Sequence, residues 1–201
     1  VLLLIIVVLV GESPRDAFGA IFRFSFSTTS RFATIISVAI PLYIAGIAVA
    51  VAFQCGVFNI GAEGQYFIGG LTGALAGIYL PLPSFIHIPV VVLSSMIGGA
   101  LWALIPAVLK TIRGVHEVIT TIMLNHIAIF LVNFLVNQPL SGLEEGGQSL
   151  QPQTESIRDT ALFGKLNHIF RAIGINVPEH VYLDYSLIVA IIMGFFTWFI
   201  L

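Results

Sequence analysis

Apolar stretches, most of them long enough to cross a bilayer, alternate with more polar segments along this chain. They run Val1–Val10, Ala33–Phe53, Gln65–Leu80, Pro89–Leu109, Val118–Val136 and Leu183–Leu201, most of them close to the ~20 residues needed to span the hydrocarbon core as a helix. The pattern predicts an all-α fold, a polytopic transmembrane helical bundle of about six spans. The first is read as truncated, because V-L-L-L-I-I-V-V-L-V offers ten apolar residues before Gly11, with no basic region ahead of them. Between the first two stretches, Gly11–Phe32 mixes Glu12, Arg15, Asp16, Arg23 and Arg31 with Phe18, Phe22, Phe24 and Phe26, a composition suited to an interfacial segment lying at the membrane surface. Pro81-Leu82-Pro83 predicts a tight connection. Asn137–Tyr182 is the one extended polar region, with Glu144-Glu145-Gly146-Gly147 and Gln148 to Thr154 reading as surface loop and Leu162–Ile173 as a short amphipathic helix. The expected organisation is a single transmembrane domain over 1–201, with an interfacial segment at 11–32 and an extramembrane loop at 137–182.

Composition agrees with the pattern. Hydrophobic residues make up 58% of the chain, charged residues 9%, and mean hydropathy is +1.03, where a soluble domain is roughly one quarter charged. This composition is that of an integral membrane protein. A formal net charge of −2 supplies no basic surface, which sets nucleic acid aside as a partner. The single Cys55 excludes an intramolecular disulfide framework and a cysteine-based zinc site, leaving it a small packing residue. Charge does not orient the chain. If the spans alternate, the segments 11–32, 81–88 and 137–182 share one side and carry six of the eight basic residues, yet Lys110 and Arg113 occupy the shorter, more charge-dense turn that counts most in positive-inside bias.

Two polar stretches interrupt the oil. V-F-N-I-G-A-E-G-Q (Val57–Gln65) places Asn59, Glu63 and Gln65 beside Gly61 and Gly64. Polar groups at membrane depth are tolerated where protein buries them or where they line a water-filled route, so this segment reads either as part of a solute path or helix break, or as a polar surface turn in which Glu63 caps the next helix. Gly69, Gly73 and Gly77 follow at four-residue intervals, a small-xxx-small stripe whose meaning is close helix packing. In the second stretch, Leu109 to Asn125, the residues Glu117, Thr121 and Asn125 fall at successive i, i+4 steps and share a helix face, while His126 points away. That stripe serves interhelical hydrogen bonding, solute contact or positioning at the membrane boundary. The substrate-path residues taken from the two stretches are Asn59, Glu63, Gln65, Glu117, Thr121 and Asn125.

Catalytic, metal and cofactor chemistry finds no motif. Gly164-Lys165 lacks the glycine spacing and the following Ser or Thr of a phosphate loop, His116-Glu117 meets Thr120 where a zinc protease motif requires His, and no G-x-S-x-G turn occurs. A transporter of this kind draws energy from another subunit or from an ion gradient. In the second case the chain is an ion-coupled secondary transporter or channel using Glu63, Glu117 and His126.

F-N-I-G-A-E-G-Q (Phe58–Gln65), followed about fifty residues later by L-K-x-x-x-G-V-H-E-V-I-T-T-I-M-L-N (Leu109–Asn125) and preceded by P-L-Y-I-A-G-I-A-V-A-V-A-F (Pro41–Phe53), resembles the permease subunits of ABC importers in the branched-chain amino acid and ribose permease superfamily. The likeness is greatest to the nucleoside and simple-sugar branch. His126 departs from it, since Tyr usually follows the Asn there. The resemblance implies a bacterial cytoplasmic (inner) membrane protein, with ABC ATPase subunits, a second permease subunit, an extracytoplasmic substrate-binding lipoprotein and the lipid bilayer as partners, and ATP hydrolysis on a separate subunit. It also implies that such permeases continue past the position of Leu201 into a cytoplasmic coupling loop, and that Lys110 and Arg113 are cytoplasmic with 137–182 outside. Nucleosides, then simple sugars, suit neutral hydrogen-bonding groups such as Asn59, Gln65, Thr121 and Asn125.

Overall fold

The computed structural model describes residues 2–11, 13–142, 153–166, 170 and 183–201. Among the described residues it holds seven α-helices and no strand: α1 (Leu2–Leu9), α2 (Pro14–Ser25), α3 (Thr29–Gln54), α4 (Ala62–Tyr79), α5 (Ser84–Arg113), α6 (Glu117–Asn137) and α7 (Ser186–Ile200), with a 3₁₀ turn at Asp159–Ala161. The protein is an all-α, multi-pass helical membrane protein. α3, α5 and α6 are long and apolar enough to cross a membrane, while α7 is a shorter apolar helix. α4 falls outside the apolar set because Glu63, Gln65 and its glycines dilute it.

Helix boundaries extend beyond the apolar runs. α3 starts at Thr29 rather than at Ala33, with Thr28 Oγ1 accepting the Arg31 N–H at 3.4 Å, and α5 covers 30 residues from Ser84 to Arg113, about 45 Å of helix. Pro41, Pro89 and Pro106 lie inside these helices, each removing one backbone donor without ending the helix. α2 forms within the predicted interfacial segment. Its N-cap Ser13 accepts the Asp16 N–H at 3.2 Å, Pro14 opens its first turn, and none of its residues is buried. The expected amphipathic helix at 162–173 is not helical over 162–166, where the chain turns. Apart from 170 its remainder lies outside the described residues, as does the 143–152 part of the expected surface loop.

The chain divides into two compact units, Val1–Tyr43 with Gly164–Gly194, and Ile44–Phe163 with Phe195–Leu201. In the first, Ala33 and Leu183 form a small apolar core with Ile36, Phe170 and Leu187 packed on it. The backbone of 164–166 pairs with that of 183–185 through Leu166 N–H to Leu183 O (2.8 Å) and Tyr185 N–H to Gly164 O (3.2 Å). In the second, α4 packs against α5 and α6, and α5 also meets α6 and the 3₁₀ turn.

The burial pattern differs from that of a water-soluble protein in how much large apolar surface it leaves exposed. Large apolar side chains such as Leu93, Met96 and Leu101 on α5, Phe130 and Phe134 on α6, and Phe195, Phe196 and Trp198 on α7 are exposed, whereas His87, Thr121 and Asn125 are buried. Lipid tails are as apolar as these side chains, so burying them gains little, and close packing of small residues together with polar contacts holds such helices to one another.

Candidate functional site

α3 ends in a Schellman motif that turns the chain into the first polar stretch. Gly56 takes φ +72°, a conformation costly for a residue with a Cβ, while Val57 N–H reaches Ala52 O and Gly56 N–H reaches Phe53 O, both at 3.0 Å. The turn sets Phe58 against Phe53, with ring centroids 4.8 Å apart and the ring planes tilted by 41°. Asn59 then folds back. Its Oδ1 accepts the Gly61 N–H and a Gln65 side-chain N–H, each at 3.1 Å, and its Nδ2 donates to Gln65 Oε1 at 3.4 Å.

The second stretch begins where α5 stops at Gly114, φ +64°, whose N–H caps Lys110 O. Lys110 and Arg113 lie in the last turn of α5 and Glu117 in the first turn of α6, signs that complement the two helix dipoles. Glu117 joins three elements. Its Oε1 accepts the Phe58 N–H at 2.8 Å, and its Oε2 is ion-paired with the Lys110 ammonium, the side chains being 14% and 48% exposed. With Lys110 half in solvent the ionic part is screened, and the charge-assisted bond to Phe58 is the better-sheltered contact.

The polar stripe of α6 separates into two roles. Thr121 is buried but gives its proton to its own helix, to Glu117 O at 2.8 Å and Val118 O at 3.1 Å. Asn125 is buried and bonded at both ends of its amide: Oδ1 accepts the Gly64 N–H at 2.9 Å and Nδ2 donates to Ile60 O at 3.0 Å. It thereby pairs two backbone groups at the start of α4 that have no helical partner. His126 is exposed, as is Glu63 in the first turn of α4.

A cavity of about 420 Å³ opens between these parts, lined by Ala52, Val57, Phe58, Asn59, Gln65, Ala103, Pro106, Ala107, Lys110, Thr111, Glu117 and Thr121. Asn59, Gln65, Glu117 and Thr121 are thus brought to one site. Glu63 and Asn125 are not among its lining residues. Its volume lies within the ~300–1,000 Å³ of small-molecule sites, and its lining, apolar with a few converging polar groups, is the usual one for such sites.

The glycines of α4 meet two neighbours. A Cβ at Gly69 would stand 2.9 Å from Ser95 O, and one at Gly73 would collide with the Ser95 hydroxyl, whereas Gly77 faces Ile157 and Ala161. Sequence reasoning missed the reciprocal pair Gly98 and Gly99 on α5, which face Thr72 and Gln65. It also missed Trp102, whose buried Nε1 lies against Gly64 and has no hydrogen-bond partner among the described residues. The G-G step inside an apolar run was the available signal for the first.

A second polar cluster, also missed, ties the 157–161 segment to the other end of α4 and α5. His87 is fully buried, with Nε2 3.2 Å from Ala76 O and Nδ1 2.8 Å from Thr160 Oγ1. In the neutral ring the carbonyl requires the proton on Nε2, leaving Nδ1 to accept from the hydroxyl. Arg158 donates through its backbone N–H to Gly77 O (3.2 Å) and through Nε to Ile78 O (2.8 Å), satisfying carbonyls at the C-terminus of α4.

Residues 31–201 match the family described as "Branched-chain amino acid transport system / permease component". The chain belongs to that family. This permease-component chain is similar to the guanosine ABC transporter permease protein NupP of Bacillus subtilis (strain 168), 30% identical over 197 residues covering 98% of this chain and 53% of that protein. It is also similar to the glucose ABC transporter permease protein TsgB13 of Haloferax volcanii, 34% identical over 148 residues covering 74% of this chain and 38% of that protein. A third relative is the nucleoside ABC transporter permease protein NupB of Lactococcus lactis subsp. cremoris, 39% identical over 98 residues covering 48% of this chain and 27% of that protein. The chain spans about half the length of the first of these relatives and less of the other two. No solved structure matches it.

Proposed function

We propose that this chain is part of the membrane-spanning permease subunit of an ABC importer and contributes to the translocation path for a nucleoside or, as second choice, a simple sugar. The observation that carries the reading is the cavity that Asn59, Gln65, Glu117 and Thr121 line at the junction of the two polar stretches, in a chain of the permease-component family. Relatives named for guanosine, nucleosides and glucose support neutral, hydroxyl-rich cargo, and amide side chains suit such cargo better than a fixed countercharge does. The partners are ATPase subunits, a second permease subunit and an extracytoplasmic binding lipoprotein, in the bacterial cytoplasmic membrane. The 1–201 segment serves as one transmembrane permease domain with α2 lying at the membrane surface, where exposed Phe18, Ile21 and Phe22 suit the acyl boundary. Asn125, Gly69, Gly73 and Gly77 hold the helices that frame the path.

The test is uptake by the complete importer in membrane vesicles. Nucleoside accumulation is expected to require ATP and to vanish with a hydrolysis-dead ATPase while a proton gradient is maintained. Gradient-driven accumulation without a functional ATPase would replace this reading with that of an ion-coupled secondary transporter.

A further inference from the structure

The cavity's polar inventory is narrower than its lining suggests. Thr121 donates its hydroxyl proton to Glu117 O and Val118 O, and Thr111 donates its own to Ala107 O at 2.9 Å, so neither hydroxyl has a proton for a solute. Lys110 and Glu117 are charged and ion-paired with each other, and Glu117 also holds the Phe58 N–H. The neutral side chains of the lining that offer both a donor and an acceptor are the amides of Asn59 and Gln65. Their two mutual bonds are unequal. Gln65 Nε2 to Asn59 Oδ1 is 3.1 Å, and that same Oδ1 also holds the Gly61 N–H at 3.1 Å, whereas Asn59 Nδ2 to Gln65 Oε1 stretches to 3.4 Å, at the edge of a useful hydrogen bond.

The shared Oδ1 fixes both amides. With Asn59's oxygen tied to the backbone and Gln65's nitrogen tied to that oxygen, the groups left weakly paired are the Asn59 N–H₂ donor and the Gln65 carbonyl acceptor, which face each other across the 3.4 Å contact. An adjacent donor and acceptor complement a heterocycle edge bearing an acceptor next to a donor, as the Watson–Crick edge of a purine does. Around this edge the walls include the Phe58 ring and the small or flat Ala103, Pro106 and Ala107 of α5, which suit a planar ring.

We infer, resting on the permease reading above, that the cavity is a nucleobase slot in which Asn59 Nδ2 and Gln65 Oε1 exchange their long mutual bond for a bidentate pair with the base edge, so that the permease holds the base rather than the ribose of its cargo. A bidentate amide–base pair discriminates against an edge that cannot make it by about tenfold or more.

Saturation-transfer NMR on the permease–ATPase complex in lipid nanodiscs, with no binding protein present, reads this directly because it detects weak ligands and the part of each ligand in contact. Guanosine is expected to receive more saturation at its base proton than at its ribose protons. 1-Methylguanosine, whose ring donor is blocked, should bind about tenfold more weakly, and ribose alone should give no effect. Asn59→Asp keeps the oxygen that caps Gly61 while replacing the donor by an acceptor, and Gln65→Leu removes the acceptor. Gln65→Leu, which removes the partner of the ring N–H, should abolish the preference of guanosine over 1-methylguanosine, a ratio that does not depend on how much complex assembles, whereas Asn59→Asp, which loses the donor to the ring carbonyl, should weaken guanosine binding without abolishing that preference. Ribose protons saturated as strongly as the base, a signal from ribose alone, or an unchanged preference in Gln65→Leu would overturn the slot. ATP-driven guanosine uptake at the normal rate in both variants would overturn the slot while leaving the permease reading standing, whereas absence of ATP-dependent uptake in the wild-type importer removes that reading itself.

Discussion

Asn125 shows how one side chain can support a site without lining it. Its amide satisfies a buried N–H at Gly64 and a carbonyl at Ile60, and leaving such groups unpaired costs roughly 1–3 kcal/mol each. Asn125→Leu is therefore expected to lower the thermal stability and detergent-resistant yield of the purified complex, while the surviving protein keeps its preference among nucleosides. A change in preference at unchanged stability would instead assign Asn125 to cargo contact. At this scale the sequence was partly legible. The i, i+4 spacing of Glu117, Thr121 and Asn125 marked one polar face, but the separation of that face into a clasp on Phe58, a self-satisfied hydroxyl and a backbone bracket depends on what α4 and residues 55–61 bring opposite each position. His87 was not legible at all, because a lone histidine at the fourth residue of an apolar helix gives no sign of the Thr160 hydroxyl waiting more than seventy residues away.

Among the helices, the α4–α5 contact is governed by which glycines lack room for a methyl group. Gly69 has the Ser95 carbonyl oxygen 2.9 Å from where its Cβ would stand, and this is backbone that cannot rotate aside, whereas adjacent Gly70 has nothing within 4 Å. Gly69→Ala should destabilise the permease, seen as a fall in its melting temperature in detergent and loss of assembled complex. Gly70→Ala should be tolerated, since the helix itself prefers Ala over Gly by about 0.5–1 kcal/mol. Equal effects of the two would remove close approach as the reason for the glycine stripe. The four-residue glycine period was readable from the chain, but its partners were not: the first two glycines meet α5, while the third meets the 157–161 segment. Helix limits were misplaced for a related reason. Hydropathy records where lipid begins, and the hydrogen-bonded spiral of α3 begins earlier, at Thr29, where Thr28 caps the Arg31 N–H.

Across the second compact unit as a whole, the polar chemistry gathers at two opposite ends. Residues 55–61 and the α5–α6 turn meet at one end through Glu117, and the α4–α5 turn meets 157–161 at the other through His87 and Arg158. With α5 as a span, this arrangement predicts that 157–161 and 110–117 lie on opposite membrane faces, without counting charges. It gives a topology prediction. In a permease whose exposed Cys55 is replaced by Ser, a cysteine at Glu155 should react with an impermeant thiol reagent added to intact cells, and one at Arg113 should not. The reverse pattern would invert the orientation implied by the family resemblance, and equal labelling of both would contradict the two-ended arrangement itself.

The chain's own order of residues determined that it is helical and lives in a membrane, because a long run of apolar side chains can satisfy its backbone in lipid by coiling on itself, using hydrogen bonds local in sequence. It also determined which stretches carry polar chemistry, since polar groups stand out against so apolar a background. Tertiary structure alone decided what each polar group does. Whether an amide is a bracket like Asn125 or an available edge like Asn59 and Gln65 depends on which donors and acceptors the packed helices place within about 3 Å, and those partners come from positions remote along the chain.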